Sequence, residues 1–342
     1  MQNRILWLDY AKGIGIILIM LSHFISIPHY FNDGYIGLFF IIAGLNYKNT
    51  GTPCKVIKKK AERLLIPYFV YSFVAICAVF LYDCISGDYS DIVDSCIGVI
   101  YSRASIIYPY SPDKGSIMSL NAPLWFLTCL FMCIAIQLLS ERYNKKIYIT
   151  IVLLFVVSSL KFRVLLPWSI DGAAYAFLFF TAAYKYKNLL FKFICNINYA
   201  NTRLKLILPV LIILYVYGSH CNGTTNWSIR NYGALGVASI FLLYILNWLY
   251  FFIVSILCHS FQFINTSILS MLLSYIGRSS LRLLCIHLIV KYVVDFTVMI
   301  MFNHNLDCSA IGAFIYIFAT VSISYFIDAL ANIYNLRLFK YL

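Results

Sequence analysis

Three ionisable residues sit within an apolar stretch running from Trp7 to His23, where side chains of this kind are costly to bury. They are Asp9, Lys12 and His23. On a helix turning 100° per residue, Lys12 and His23 superpose to within about 20° and lie about 16.5 Å apart along the axis. Asp9 precedes Lys12 by three residues and shares its face. One stripe therefore carries a carboxylate and an ammonium near one membrane surface and an imidazole deep inside. An imidazole so placed can take a proton from an alcohol, and the ammonium can hold an anionic group such as a phosphate. Asp9 would fix or neutralise Lys12.

The elements that position this stripe follow from composition. Of 342 residues, 62% are hydrophobic and only 11% are charged, and the mean hydropathy is +0.83. Soluble domains are about half apolar and about a quarter charged, so lipid must be part of the solvent. Disordered, nucleic-acid-binding and disulfide-stapled secreted classes are excluded by the same figures. Apolar runs centre on residues 13–28, 35–46, 64–82, 122–139, 147–160, 173–184, 204–217, 235–257, 272–294 and 310–330. The expected fold is all-α, a polytopic bundle of about ten transmembrane helices. The runs at 35–46 and 173–184 are short enough to be re-entrant or interfacial. No small-x-small cleavage pattern follows the first run, so that helix is expected to stay.

The net charge of +13 comes from 26 Lys and Arg against 13 Asp and Glu. With the N-terminus inside, seventeen of the basic residues fall in inner segments and six in outer ones, which predicts cytoplasmic N- and C-termini. The long segment 83–121 falls outside as a loop. The excess is thus a topology signal with an added attraction for anionic lipid, and no basic stripe suits nucleic acid. The eleven cysteines show no Cys/His ligand spacing, and no metal is expected.

These residues are similar to a known pattern. The Trp7 to His23 segment, with a basic residue, ten intervening positions and a histidine, resembles the first span of the membrane acyltransferase 3 family. Phe39 to Gly44 resembles its FFxxSG segment, with Ala43 in place of Ser. Lys60, Arg63 and the following Leu64 to Tyr68 resemble its basic-xx-Arg and LxxPY segments. Leu124 to Leu127 resembles LWFL, Pro167 to Asp171 resembles a PWxxD loop, and Gly277 to His287 resembles the late GxxSL segment ending in His. The subgroup nearest in pattern is that of fucose 4-O-acetylases and polysaccharide O-acetyltransferases. Two family features are missing: a His-Met-Pro segment, where this chain has Gly34 to Leu38, and an S-x-E motif after Leu127.

The resemblance covers residues 4 to about 335 and implies one membrane domain over residues 1–342 with no appended soluble domain. It implies an O-acetyltransferase of the bacterial inner membrane, moving acetyl from cytoplasmic acetyl-CoA to a sugar hydroxyl of a surface polysaccharide or its lipid-linked precursor. No permanently bound cofactor is expected. His23 is the expected base and His287 an oxyanion donor, acceptor binder or interhelical hydrogen bond. Lys12, Lys60, Arg63, Arg278 and Arg282 are expected to meet CoA phosphates, the last two alternatively lipid headgroups. Asp9, Trp125, Trp168, Asp171 and Ser280 are the expected substrate contacts, with Asp171 at the outer mouth. A competing class, a transporter or flippase of a lipid-linked glycan, also suits intramembrane charge, but no inverted repeat of broken helices is visible.

Overall fold

The first apolar run forms a helix that begins earlier than its hydropathy suggests. In the computed structural model α1 spans Leu6–Phe24, so Asp9 and Lys12 lie on the helix itself. The structure describes residues 5–49, 51–86, 90–103, 105–107, 116–118, 122–143, 165–197, 202–264, 268–302 and 309–333. The run at 147–160 lies outside the described residues.

Twelve further helices follow among the described residues. They are α2 (His29–Asn32), α3 (Tyr35–Leu45), α4 (Pro53–Ser86), α5 (Ser90–Tyr101), α6 (Trp125–Tyr143), α7 (Ile170–Lys185) and α8 (Lys187–Cys195), then α9 (Thr202–Asn222), α10 (Val237–Ile264), α11 (Ile268–Arg278), α12 (Ser280–Phe302) and α13 (Ala310–Ile333). A short antiparallel hairpin, β1 (Ser105–Ile107) with β2 (Ser116–Met118), pairs Ser105 with Met118. The stretch expected as one long outer loop thus contains a helix and a hairpin. The fold is helical and suits a membrane. Four helices, α1, α6 with its preceding turn, α10 and α13, are long and apolar enough to cross a bilayer.

Two helices depart from the hydropathy pattern. The 34 residues of α4 extend about 51 Å, longer than the roughly 30 Å hydrocarbon core, and its first turns hold the basic residues Lys55 to Arg63 ahead of the apolar run from Leu64. The run read as one span at 272–294 breaks at Ser279 into α11 and α12. Backbone bonds bridge the break, Ser279 N–H to Tyr275 O at 3.0 Å and Leu283 N–H to Ser279 O at 2.9 Å, so the chain changes direction without unwinding. An average of hydropathy over a window cannot detect a one-residue change of direction.

Helix α1 is the core of the bundle, packed against α3, α10, α11, α12 and α13. Its buried residues include Trp7, Tyr10, Ile16 and Met20, and also the charged Asp9. The crossing with α11 is close because glycine stands at the contact. A Cβ on Gly277 would collide with the Asp9 backbone carbonyl, and one on Gly13 would come within 2.7 Å of the Leu273 carbonyl. Above this contact the Tyr10 hydroxyl and Ser270 Oγ are 2.6 Å apart. Gly277→Ala is expected to push the helices apart and destabilise the fold by about 1–3 kcal/mol, the range for overpacking. Thermal unfolding in detergent checks this, with an unchanged midpoint as the contrary result.

Candidate active site

One side of α1, with α3, the first half of α4, α6 and the start of α12, lines a half-open cavity of about 1320 Å³. Its lining differs from one end to the other. Level with the first turns of α1 stand Lys12, Lys48, Lys60, Arg63, Lys187 and Arg278. They come from five elements: α1, the stretch after α3, the start of α4, the start of α8 and the end of α11. Among the described lining residues Asp9 is the single carboxylate, and its Oδ1 takes a 2.7 Å bond from Lys12 Nζ. Burial, and after it the neighbouring Arg63 and Lys59 charges, pushes the Lys60 ammonium below the ordinary lysine range. Burial and then Lys48 act in the same direction on Lys187. Cations crowded so that they discourage one another's charge gain most from an anion placed among them. Lys60 also stands 5.8 Å from the Tyr47 ring centre.

Ser22, His23 and Tyr35 lie further along the cavity. His23 is exposed to the cavity, and behind it is His287 on α12, fully buried, with ring centres 5.2 Å apart. His287 Nδ1 lies 2.9 Å from Leu284 O and 3.2 Å from Leu283 O. Carbonyls only accept, so Nδ1 carries the proton and Nε2 keeps its lone pair. That Nε2 is buried and has no partner. The pairing of the two histidines, 264 positions apart, is beyond the reach of spacing within one helix.

At the far end the lining becomes neutral and polar: Thr225, Asn226 and Ser228 from the loop between α9 and α10, beside Pro123 and Trp125. This loop is anchored from two sides. Trp227 is buried between Phe40, Tyr175 and Phe179, and stacks on Phe40 at 6.2 Å with nearly parallel rings. Arg103 donates to Ser228 O at 3.0 Å and to Leu166 O at 2.8 Å. Asp33, in the turn after α2, accepts from Ser219 at 2.5 Å and from Thr225 at 2.6 Å. Burial pushes its carboxyl up, opposed by those two hydroxyl bonds.

Of the residues singled out by sequence, Asp9, Lys12, His23, Lys60, Arg63, Trp125, Arg278 and Ser280 line this one cavity. His287 backs it. Three are placed elsewhere. Asp171 is buried, 2% exposed, and pairs with Arg103 and, at 3.2 Å, with Arg230, while accepting from Gly172 N at 2.8 Å. Its expected place at an outer mouth is corrected to a buried ion cluster, because two guanidinium groups from distant segments take up its oxygens. Arg282 is turned away from the cavity to Asp328, 2.7 Å, and to Ser324 O, 3.0 Å. Trp168 has φ 56° and donates from Nε1 to Ile100 O at 3.2 Å, so its ring ties the turn before α7 to the end of α5. Sequence reading missed Asp33, Thr225, Asn226 and Ser228. The Asn-Asp-Gly at 32–34 carries only a turn signal, and the polar loop 222–236 has no periodicity to mark it.

Among the described residues no three His, Cys, Asp or Glu side chains gather as metal ligands. The arrangement joins a cluster of cations, an imidazole and an uncharged polar end in one cavity. That combination suits moving an acyl group from an anionic carrier to an alcohol. No curated protein and no solved structure matches the chain. The profile of the family described as an acyltransferase domain matches residues 5–329, nearly the whole length, and the chain thus belongs to the membrane acyltransferase 3 family.

Proposed function

We propose that this membrane acyltransferase moves acetyl from cytoplasmic acetyl-CoA to a hydroxyl of a sugar in a surface polysaccharide or its lipid-linked precursor. The observation that carries the reading is the polarity of this cavity, basic at one end and neutral at the other, with His23 between. The topology that fits is about ten spans in the bacterial inner membrane, both termini cytoplasmic, with the basic end opening inward.

The CoA phosphates bind among Lys12, Lys60, Arg63 and Arg278, with Lys48 and Lys187 adding to the same field. Arg63 and Arg278 supply the forked donors that suit phosphate. The thioester then extends along α1, where about 16.5 Å separates the Lys12 and His23 levels. The acceptor hydroxyl lies beside His23, which takes its proton as the oxygen bonds to the acyl carbon. The C–S bond breaks, and the leaving CoA thiolate receives that proton. His287, with Nδ1–H held by its own helix, packs its ring against the His23 ring, 5.2 Å between centres, and so limits how the His23 imidazole can turn beside the hydroxyl. No separate nucleophile is required. Ser22 donates to Ile19 O at 2.8 Å and points about 100° away from His23.

Mass spectrometry of surface glycans from cells with and without the gene tests the function. Loss of O-acetyl groups in the deletion is expected, and identical acetylation in both strains would contradict it. Lys12→Ala should raise the KM for acetyl-CoA on the order of tenfold with a smaller change in kcat, as for loss of one charge-assisted contact. An unchanged donor KM in steady-state kinetics would remove Lys12 from the donor site.

A further inference from the structure

The far end of the cavity is built tightly enough to show what it accepts, given the acyl-transfer reading on which this inference rests. Each of its three polar side chains has part of its hydrogen-bonding capacity already committed. Thr225 donates its hydroxyl proton to Asp33 Oδ1 at 2.6 Å, which leaves Oγ1 able only to accept. Ser228 donates its hydroxyl proton to Asn226 Oδ1 at 2.6 Å and is left in the same state. The Asn226 oxygen is further occupied by Ser228 N at 3.1 Å, which leaves the Asn226 amide nitrogen to donate. Two hydroxyl oxygens that can only accept thus stand beside one amide that donates.

We propose that Thr225, Asn226 and Ser228 form the acceptor subsite, and that it takes an uncharged sugar ring and discriminates against uronic, sialic and phosphorylated sugars. Sugar hydroxyls both donate and accept, so they can satisfy all three groups. A carboxylate or fully ionised phosphate only accepts and would face two oxygens that only accept, which sets lone pair against lone pair. The nearby charges offer no compensation. Arg103 and Arg230 both pair with Asp171, and Arg103 also donates to the Leu166 and Ser228 carbonyls. The basic cluster that would attract an anion is at the opposite end of the cavity, where the donor binds. Trp227 beneath the loop and Asp33 behind it hold the three groups in place, so the pattern is preorganised.

The test uses the purified full chain in detergent with radiolabelled acetyl-CoA. The acceptors are methyl glucoside, galactoside and mannoside, each paired with the methyl uronide of the same configuration. Label is expected on the neutral member of a pair, with kcat/KM at least tenfold above its uronide. Thr225→Val should raise the acceptor KM on the order of tenfold and leave the acetyl-CoA KM unchanged; Thr225→Ser, which keeps the hydroxyl, should restore it. Asn226→Asp keeps the oxygen that holds Ser228 but removes the donating amide, and should raise the acceptor KM similarly. Equal or better transfer to uronides, or Thr225→Val and Asn226→Asp with wild-type acceptor KM, would overturn the subsite while leaving acyl transfer standing. No transfer to any acceptor by the wild type would overturn the acyl-transfer reading, and the subsite with it.

Discussion

Replacing His23 with alanine is expected to lower kcat for acyl transfer by about 10²–10⁴, the range for loss of a positioned general base. The KM for acetyl-CoA should stay near the wild-type value, because the phosphate-binding groups stand at the other end of the cavity. The protein should remain folded, since the imidazole faces the cavity and is exposed there. His287→Ala should lower kcat by less, because His287 touches the base and not the cavity. It should also leave the acetyl-CoA KM unchanged. Steady-state kinetics of both variants, with chromatographic homogeneity in detergent as the folding control, checks this. A His23→Ala protein with wild-type kcat would remove the histidine from the chemistry.

The second large effect concerns stability. Arg103 is 1% exposed and is held by Asp171 and by the Leu166 and Ser228 carbonyls. Burial pulls the guanidinium down to about 10, still far above neutral pH, so it stays charged and the cluster stays ionic. Arg103→Ala leaves Asp171 with Arg230 as its one ion-pair partner among the described residues and takes a donor from the Leu166 and Ser228 carbonyls. Removing one partner of a buried ion cluster costs about 3–5 kcal/mol. The expected result is a large drop in the thermal unfolding midpoint in detergent. Because the Ser228 carbonyl loses its donor, residual folded protein should also bind acceptor more weakly than donor. A midpoint within a degree of wild type would show that the cluster contributes little.

The helical membrane fold and the alignment of Lys12 with His23 were both legible in the sequence, for different reasons. Apolar runs in a chain with 11% charged residues mark helices, and the eleven-residue spacing of Lys12 and His23 survives as two groups lining one cavity. Spacing on one helix is a local property, and helix geometry carries it directly into three dimensions. Contacts between helices had no such carrier. The approach of His287 to His23, and the convergence of Arg103, Asp171 and Arg230, depend on how α1, α5, α7, α9 and α12 pack. Asp171 was visible as a carboxylate after a Pro-Trp turn, and only the packing shows that two arginines claim it. Lys48 and Lys187 read as ordinary inner-loop charges because their place on the cavity wall is set by where α3 and α7 end. The loop from Gly223 to Gly236 was silent, since polar side chains outside a repeating pattern carry no directional information until a wall forms around them.

The most direct test incubates purified protein in detergent with radiolabelled acetyl-CoA and surface polysaccharide freed of O-acetyl groups by mild base. Covalent label on the polysaccharide with wild-type protein, and none above background with His23→Ala, is the expected result. If the wild type transfers no label and His23→Ala is indistinguishable from it, while cells lacking the protein fail to export the glycan, the cavity is a passage for a lipid-linked glycan and not a site of acyl transfer.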